Sequence, residues 1–491
     1  MGERPRNRFC SSCSRSRRAR RSSTARVIGL SARARPFGRP GAGRGDLARG
    51  RAARQAAAPR PACYGGRRRE GGMAERARPH REIVVAGGGL PGLSLALGLR
   101  RALGEAVRIT VCDPAFARAA DPRAKPDLRA YAVAAGGRRM LARLGVWEAV
   151  AAGAQPIREM VITDSRLSDP VRPAFLTFAG EVEEGEPFAH MVEGAALLEA
   201  LRRATEAAGA VLDPNPVAAA VPERDAITAR LADGRALRAS LVVAADGARS
   251  RLREAAGISW IGWSYPQSGI VATVSHERDH EGRAIEHFLP SGPFAVLPLS
   301  PGGSLGHRSS IVWTERQADV PALLGGGPEE ALAEVERRFG LTLGRIALET
   351  GLRAYPLAFG MARRFHAPRL ALLGDAAHLI HPIAGQGLNL GLKSAAALAE
   401  VLADAMRLGL DPGGPEVLDS YERSRRADTL AMGAATDGLN RLFSNDALPV
   451  RLARDLGLGL VDRLPALKRL FIREAAGLRG AQPRLMRGEA L

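Results

Sequence analysis

No stretch of the chain approaches the roughly 18 uninterrupted apolar residues that a membrane-spanning helix needs. Cysteine is nearly absent: four among 491 residues, of which Cys10, Cys13 and Cys63 fall in the first 72. With Cys112 alone beyond that point, no disulfide framework is expected, and the chain suits a reducing compartment. The single CxxC at Cys10 and Cys13 has no second pair to complete a zinc site, so no metal centre is expected. Lysine is missing from residues 1–72, which hold 20 arginines and three acids, Glu3, Asp46 and Glu70. That segment therefore carries +17 of the formal charge of +20, and the remainder is nearly neutral. No nucleic-acid partner is expected of such a body.

The Arg-rich leader, residues 1–72, also lacks apolar periodicity. It cannot bury enough apolar surface to offset its chain entropy, so disorder is expected there. Three origins compete, in falling order of preference. Translation begins at Met73 and the leader is a mis-assigned start; or the leader is an acid-poor organellar presequence; or it is a nucleic-acid-binding arm, ranked last because no aromatics interleave with its arginines.

The body is long enough for two domains. A buried strand, Glu82–Ala86, leads through a glycine turn to an apolar helix over 93–103, and a second strand at 108–112 ends at Asp113. This is a βαβ opening. A helix is expected over 138–150, another over 195–207, and an apolar strand over 241–245. From about 270 to 357 short strands dominate, a strand returns at 370–373, and helix is expected from Gly387 to the end. The expected class is α/β. A discontinuous Rossmann-like dinucleotide domain occupies 81–155, 193–258 and 361–400. A mostly antiparallel-sheet substrate domain is inserted at 156–192 and 259–360, and a helical C-terminal region covers 401–491.

Three motifs carry chemistry. The first, Gly87-Gly88-Gly89-Leu90-Pro91-Gly92, is a GxGxxG between strand and helix. Gly87 permits the tight turn, Gly89 lets the backbone approach a pyrophosphate, and Gly92 lets helix and strand pack closely. The helix N-terminus supplies amides and partial positive charge. Asp113, 21 residues beyond Gly92, is placed to accept from a ribose hydroxyl. The second motif, DGxxSxxR at Asp246 to Arg253, reads equally as a strand-to-helix turn capped by the aspartate. The third runs from Arg369 through Gly374-Asp375, His378 and Pro382 to the glycine-broken Gly385-Gln386-Gly387-Leu388-Asn389. Its aspartate suits the ribityl hydroxyls of FAD. Its loop amides suit the pyrimidine edge of the flavin, where negative charge gathers on reduction.

Taken together these strings resemble the group A FAD-dependent aromatic monooxygenases, and within them the ubiquinone-biosynthesis hydroxylases that act on 2-polyprenylphenols. Supporting matches include Asp127-Leu-Arg129, Leu144-Gly-Val-Trp147, Trp263-Ser-Tyr-Pro-Gln267, Gly292 to Leu299, and Thr436 to Asn445. The resemblance spans about 81–477. It implies that Gly87, Gly89, Gly92 and Asp113 hold the AMP half of FAD, with Arg129 near the phosphates or flavin edge. Asp246 lies near the pyrophosphate, Asp375 and Gly374 at the ribityl chain, and Gly385, Gln386, Gly387, Leu388 and Asn389 along the flavin edge. Pro382 sits where oxygen reacts. His378 and His381 are candidate bases, although ordering of the loop is the preferred reading of both. The implied reaction uses NAD(P)H and dioxygen through a flavin C4a-hydroperoxide to hydroxylate an electron-rich ring, with a lipophilic phenol as substrate and other quinone-biosynthesis proteins as partners.

Two departures from that pattern stand out. Lys393-Ser394 replaces a basic residue followed by aspartate, and Met191-Val-Glu-Gly-Ala replaces a Glu-Asn/His-Arg stretch. They leave open a flavin hydroxylase of another aromatic substrate, or a catalytically silent FAD-binding assembly subunit. A halogenase is disfavoured, because the tryptophans run Trp260-Ile-Gly-Trp263 and not WxW. Residues 449–473 place Val450, Ala453, Leu456, Leu460, Leu464, Leu467 and Phe471 at helical spacing, with six bases against Asp455 and Asp462. This suits peripheral contact with an anionic membrane. The expected location is cytoplasmic, at the inner face of a membrane, or an organellar matrix if the leader is a presequence.

Overall fold

Four short runs, Glu82–Ala86, Arg108–Cys112, Leu241–Ala244 and Leu370–Leu372, are buried almost throughout, as strands covered on both faces of a parallel sheet must be. The computed structural model describes residues 81–118, 129–164, 167, 174–179, 181–289, 291–443, 476–478 and 480–491. The leader and the amphipathic segment 449–473 lie outside the described residues.

Those strands form a parallel sheet in the order Val211–Asp213, Arg108–Cys112, Glu82–Ala86, Leu241–Ala244, Leu370–Leu372, closed by the antiparallel pair His366–Ala367. The three motifs follow the C-terminal ends of three adjacent strands, the edge at which open α/β sheets bind ligands. The helix Leu90–Leu103 buries Leu93, Leu95, Leu97 and Leu99 against the sheet and the helices Gly194–Ala207 and Gln386–Arg407. Gly98 allows the close approach: a Cβ there would stand 3.5 Å from the Cβ of Ala399.

The second sheet has nine strands, in the order His378–Leu379, Arg353–Ala362, Trp260–His276, His307–Arg316, Gly292–Leu299, Arg283–Leu289, Glu159–Asp164, Ala174–Ala179, with Ile346–Leu348 paired to the long third strand. Every pairing is antiparallel except Arg283–Leu289 with Glu159–Asp164. One edge strand, His378–Leu379, belongs to the third motif, so that motif is tied to both sheets.

Two helix expectations differ from the structure. In place of 138–150 the helix is Ala135–Arg143, followed by 3₁₀ turns at Trp147–Ala149 and Ala151–Gly153. Gly145 adopts φ 72°, a left-handed conformation that stops the helix. The helix Pro415–Phe443 forms as expected, but residues 480–491 contain a single 3₁₀ turn, Arg484–Arg487, bracketed by left-handed Gly480 and Gly488. That turn buries Leu485 and Met486 in the main core.

Candidate active site between two sheets

The turn after the first strand is possible only with glycine. Gly87 has φ 120°, and a Cβ there would fall 2.1 Å from the carbonyl oxygen of Ala245. A Cβ on Gly92 would fall 2.1 Å from the oxygen of Gly87. Gly89 differs, with nothing within 4 Å of the position a Cβ would take. Gly89 faces open space in a cavity of about 570 Å³, within the range of roughly 300–1,000 Å³ for small-molecule sites.

One side of this cavity comes from the motifs: Gly89, Leu90, Pro91, Ala245, Gly247, Gly374, Asp375, His378, Pro382, Gly385, Gln386, Gly387, Leu388 and Asn389. The opposing lining comes from the nine-stranded sheet, with Met160, Val271, Glu286, Ala295, Leu297 and Val312, joined by Ile157 and Phe188. Arg129 also lines the cavity, its guanidinium 5.6 Å from the ring centre of Tyr131 and 5.9 Å from that of Tyr355. The Met191–Ala195 departure acquires a role here. A Cβ on Gly194 would lie 2.6 Å from the Tyr131 ring, and the Gly194 amide donates to the Arg129 carbonyl at 2.8 Å. Glycine at 194 thus fixes the segment that presents Arg129 and Tyr131.

Asp375 faces the cavity with no hydrogen bond or ion pair to its carboxylate among the described residues. Protein crowds it on its other sides. That burial raises its carboxyl above the usual range, and the charge of Arg129 opposes the shift. Two helices begin at the cavity, Leu90–Leu103 and Gln386–Arg407, and neither has a side-chain cap. Gly385 enters the second in a left-handed conformation, and Gly387 has nothing within 4 Å of a Cβ position. Asn389 anchors this loop: its side-chain amide donates to the Ala132 carbonyl and its oxygen accepts from the Ala134 amide, both at 2.9 Å. Two helix N-termini without a side-chain cap, an open glycine at each and one carboxylate unpartnered among the described residues suit a ligand carrying both phosphate and hydroxyl groups. FAD fits that donor set.

Asp113 and Asp246 stand apart from the cavity lining. The Asp113 carboxylate accepts from the amides of Gly88 and Ala115, both at 2.7 Å, and so braces the glycine turn itself. Asp246 is exposed, its carboxylate 3.5 Å from the Leu252 amide. The cap of the following helix Arg251–Ala255 is Ser250, which accepts from the Arg253 amide at 3.0 Å. Arg253 explains the rest of that motif. It donates to the carbonyls of Ala248 and Ala376 at 3.0 and 3.1 Å and stacks over Trp260 at 4.1 Å, joining the second motif to the third.

His378 lines the cavity but is fully packed from behind. Burial first, and the nearby Arg425 second, push its pKa down to about 3. Its Nε2 lies 3.1 Å from the Ser394 hydroxyl, which itself accepts from Arg425 at 3.3 Å. A ring held neutral and engaged in this way orders the loop and does not titrate near working pH. His381 is likewise pushed down to about 4 by burial, edge-on to Tyr265 at 5.1 Å. Cys112 is buried beside Asp213, which together push its thiol up to about 12, so it is inert.

These depressed histidines, with His190 at about 4, make a stability prediction. Each is neutral in the fold and titrates near 6.5 when unfolded, so its stability is present above pH 6.5 and lost as pH falls toward 4. The melting temperature of the apoprotein is expected to drop between pH 7 and pH 5. His378→Gln should shrink that drop, and an unchanged profile in the variant would count against a buried neutral His378.

The comparisons agree with this geometry. Residues 80–434 match the family model described as an FAD binding domain. The ubiquinone hydroxylase UbiL of Rhodospirillum rubrum is 46% identical over 415 residues, covering 84% of this chain and 93% of that protein. The chain belongs to the FAD-dependent ubiquinone-biosynthesis hydroxylases. Similarity extends to the 3-demethoxyubiquinol 3-hydroxylase of Escherichia coli, at 35% identity over 81% of this chain and 98% of that protein. Among solved structures, the p-nitrophenol 4-monooxygenase PnpA of Pseudomonas putida superposes with a TM-score of 0.66 at 21% identity, covering 82% and 99% of the two chains, and so shares the fold. The protein is thus an FAD-dependent aromatic hydroxylase of α/β architecture. No helix among the described residues is long and apolar enough to cross a membrane.

Glu286 escaped sequence reasoning. It stands in the strand Arg283–Leu289, buried, on the cavity lining. An acid set among apolar residues in the run AIEHFL was the available signal.

Proposed function

We propose that this protein hydroxylates the aromatic ring of a polyprenylated phenol on the route to ubiquinone, with NAD(P)H as electron donor and dioxygen as oxygen source. The observation that carries the reading is the apolar lining that faces the third motif, built by Ile157, Met160, Phe188, Val271, Leu297 and Val312. Such a lining holds a lipophilic ring and keeps water from the reacting centre.

FAD, when bound, supplies hydride acceptance and dioxygen activation. The chain supplies the rest. Amides at the start of Leu90–Leu103 hold the pyrophosphate, and Asp375 accepts from the ribityl hydroxyls. The uncapped start of Gln386–Arg407 stabilises negative charge at the flavin edge. Pro382, which lines the cavity ahead of that helix, shapes the space where the ring and oxygen meet. The lipophilic substrate favours contact with a membrane surface and with other quinone-biosynthesis proteins, on the cytoplasmic or matrix side.

The test is expression of the full chain in a strain lacking one ubiquinone hydroxylase, with quinone intermediates identified by mass spectrometry. One accumulated phenol should disappear and its hydroxylated product appear. A purified, FAD-loaded protein that neither NADH nor NADPH reduces would sink the nicotinamide-driven scheme.

A further inference from the structure

We propose that Glu286 is the base that takes the phenolic proton during ring hydroxylation, an inference that rests on the phenol reading above. Its position follows from strand register. Glu286 pairs with Ala295, Ala295 with Val312, and Val312 with Val271, so the four form one row across the sheet. All four line the cavity. The flanking pair, Ala295 and Ile162, carry no charge, and Ala295 leaves room beside the carboxylate for a ring substituent.

The carboxylate has no hydrogen bond and no ion pair among the described residues. An unpartnered buried acid costs stability, so the fold retains here a group it does not use. His287, next in the strand, bonds Thr163 at 2.6 Å and takes no part. The other titratable groups on the cavity lining are Arg129, Tyr131, Tyr355, Asp375 and His378. Arg129 and Asp375 belong to the cofactor's share of the cavity, and His378 is held neutral. Burial alone pushes the Glu286 carboxyl up to about 7, where a base operates with both forms populated.

In the step itself the phenol O–H bond breaks and its proton passes to a Glu286 oxygen. The freed lone pair enters the ring, and a ring carbon bonds the distal oxygen of the activated dioxygen, which arrives with its hydrogen. The O–O bond breaks with its electron pair on the oxygen left behind, which becomes water after protonation. The resulting dienone loses its ring proton to solvent and regains aromaticity. NAD(P)H is oxidised, one dioxygen is reduced, and Glu286 returns its proton to water.

The test uses the FAD-loaded full chain with a 2-prenylated phenol and, as control, its methyl ether, which has no proton to give. In the wild type, kcat/KM for hydroxylation should rise with pH through about 7 and level off. Binding, read by perturbation of the flavin spectrum, should favour the phenol over the ether above that pH. Glu286→Gln should keep its FAD and its reduction by NAD(P)H. It should hydroxylate about 10²-fold more slowly, lose the inflection near pH 7, and lose the preference for phenol over ether. Glu286→Asp should retain the inflection at an intermediate rate. Wild-type rate and pH profile in Glu286→Gln would overturn the proposal, and so would loss of FAD from that variant. A wild type that prefers phenol to ether yet never hydroxylates it ends the phenol-hydroxylase reading while leaving the contact with Glu286 supported.

Discussion

Asp375→Ala is expected to yield a folded protein that purifies without FAD. The carboxylate faces the cavity, carries no hydrogen bond or ion pair among the described residues, and is crowded by protein on its other sides. In the apoprotein its side chain is exposed to the cavity, while the protein around it raises its carboxyl above the usual range against the opposing charge of Arg129. Its removal therefore leaves the apoprotein as stable or more so. In the proposed placement bound FAD would reverse the account, because its ribityl hydroxyls would donate to a charged acceptor. Each such bond contributes about 1.5–3 kcal/mol, so losing it weakens binding by about tenfold to a hundredfold. Asp375→Asn keeps one acceptor oxygen and should retain intermediate occupancy. Flavin absorbance per protein, together with a melting curve, separates cofactor loss from misfolding. Full occupancy and activity in Asp375→Ala would refute the placement of the ribityl chain.

Most of the dinucleotide domain could be read from sequence because its signals are local. The buried run Glu82–Ala86, the turn that only glycine permits at Gly87, and the close contact at Gly92 lie within a dozen residues of one another. The third motif was legible for the same reason: Asp375, the left-handed Gly385 and the uncapped helix start share one continuous string. What failed to show was long-range. Asp113 has the spacing of a ribose ligand, and its carboxylate also braces the glycine turn through the Gly88 amide, 25 residues away in sequence, with acceptor capacity to spare. The worth of Arg253 depends on the carbonyl of Ala376, 123 residues away in sequence. Residue alternation along a strand leaves Glu286 on one of two faces. Which face meets the cavity depends on register with Ala295 and, through it, Val312. The helix end at Arg143 was missed because Gly145 acts through its backbone conformation, which apolar periodicity does not report.

Long-range pairing also accounts for the Lys393-Ser394 departure, and it makes Asp428→Asn a damaging change. Ser394 sits between His378 and Arg425, 3.1 and 3.3 Å from them, where an aspartate would have met the same arginine. The charge is supplied instead from the helix Pro415–Phe443. Asp428 lies 2.7 Å from Arg425, which is 1% exposed, and 2.9 Å from the buried Lys393. Burial works against that carboxylate, but the two cations outweigh it and hold its carboxyl below the usual range. Asparagine would withdraw this carboxylate's charge from both buried cations; because Asp428 itself is partly exposed, the cost should lie between the roughly 1 kcal/mol of an exposed pair and the roughly 3–5 kcal/mol of a broken buried one. Asp428 is ionised well above its unfolded pKa, so the loss should be the same from pH 6 to pH 8 in urea unfolding. Ser394→Asp in the Asp428→Asn background returns a carboxylate to the same cluster and should recover part of the loss. A cost below about 1 kcal/mol for Asp428→Asn, the level of an exposed pair, would show that Lys393 and Arg425 are served by other groups.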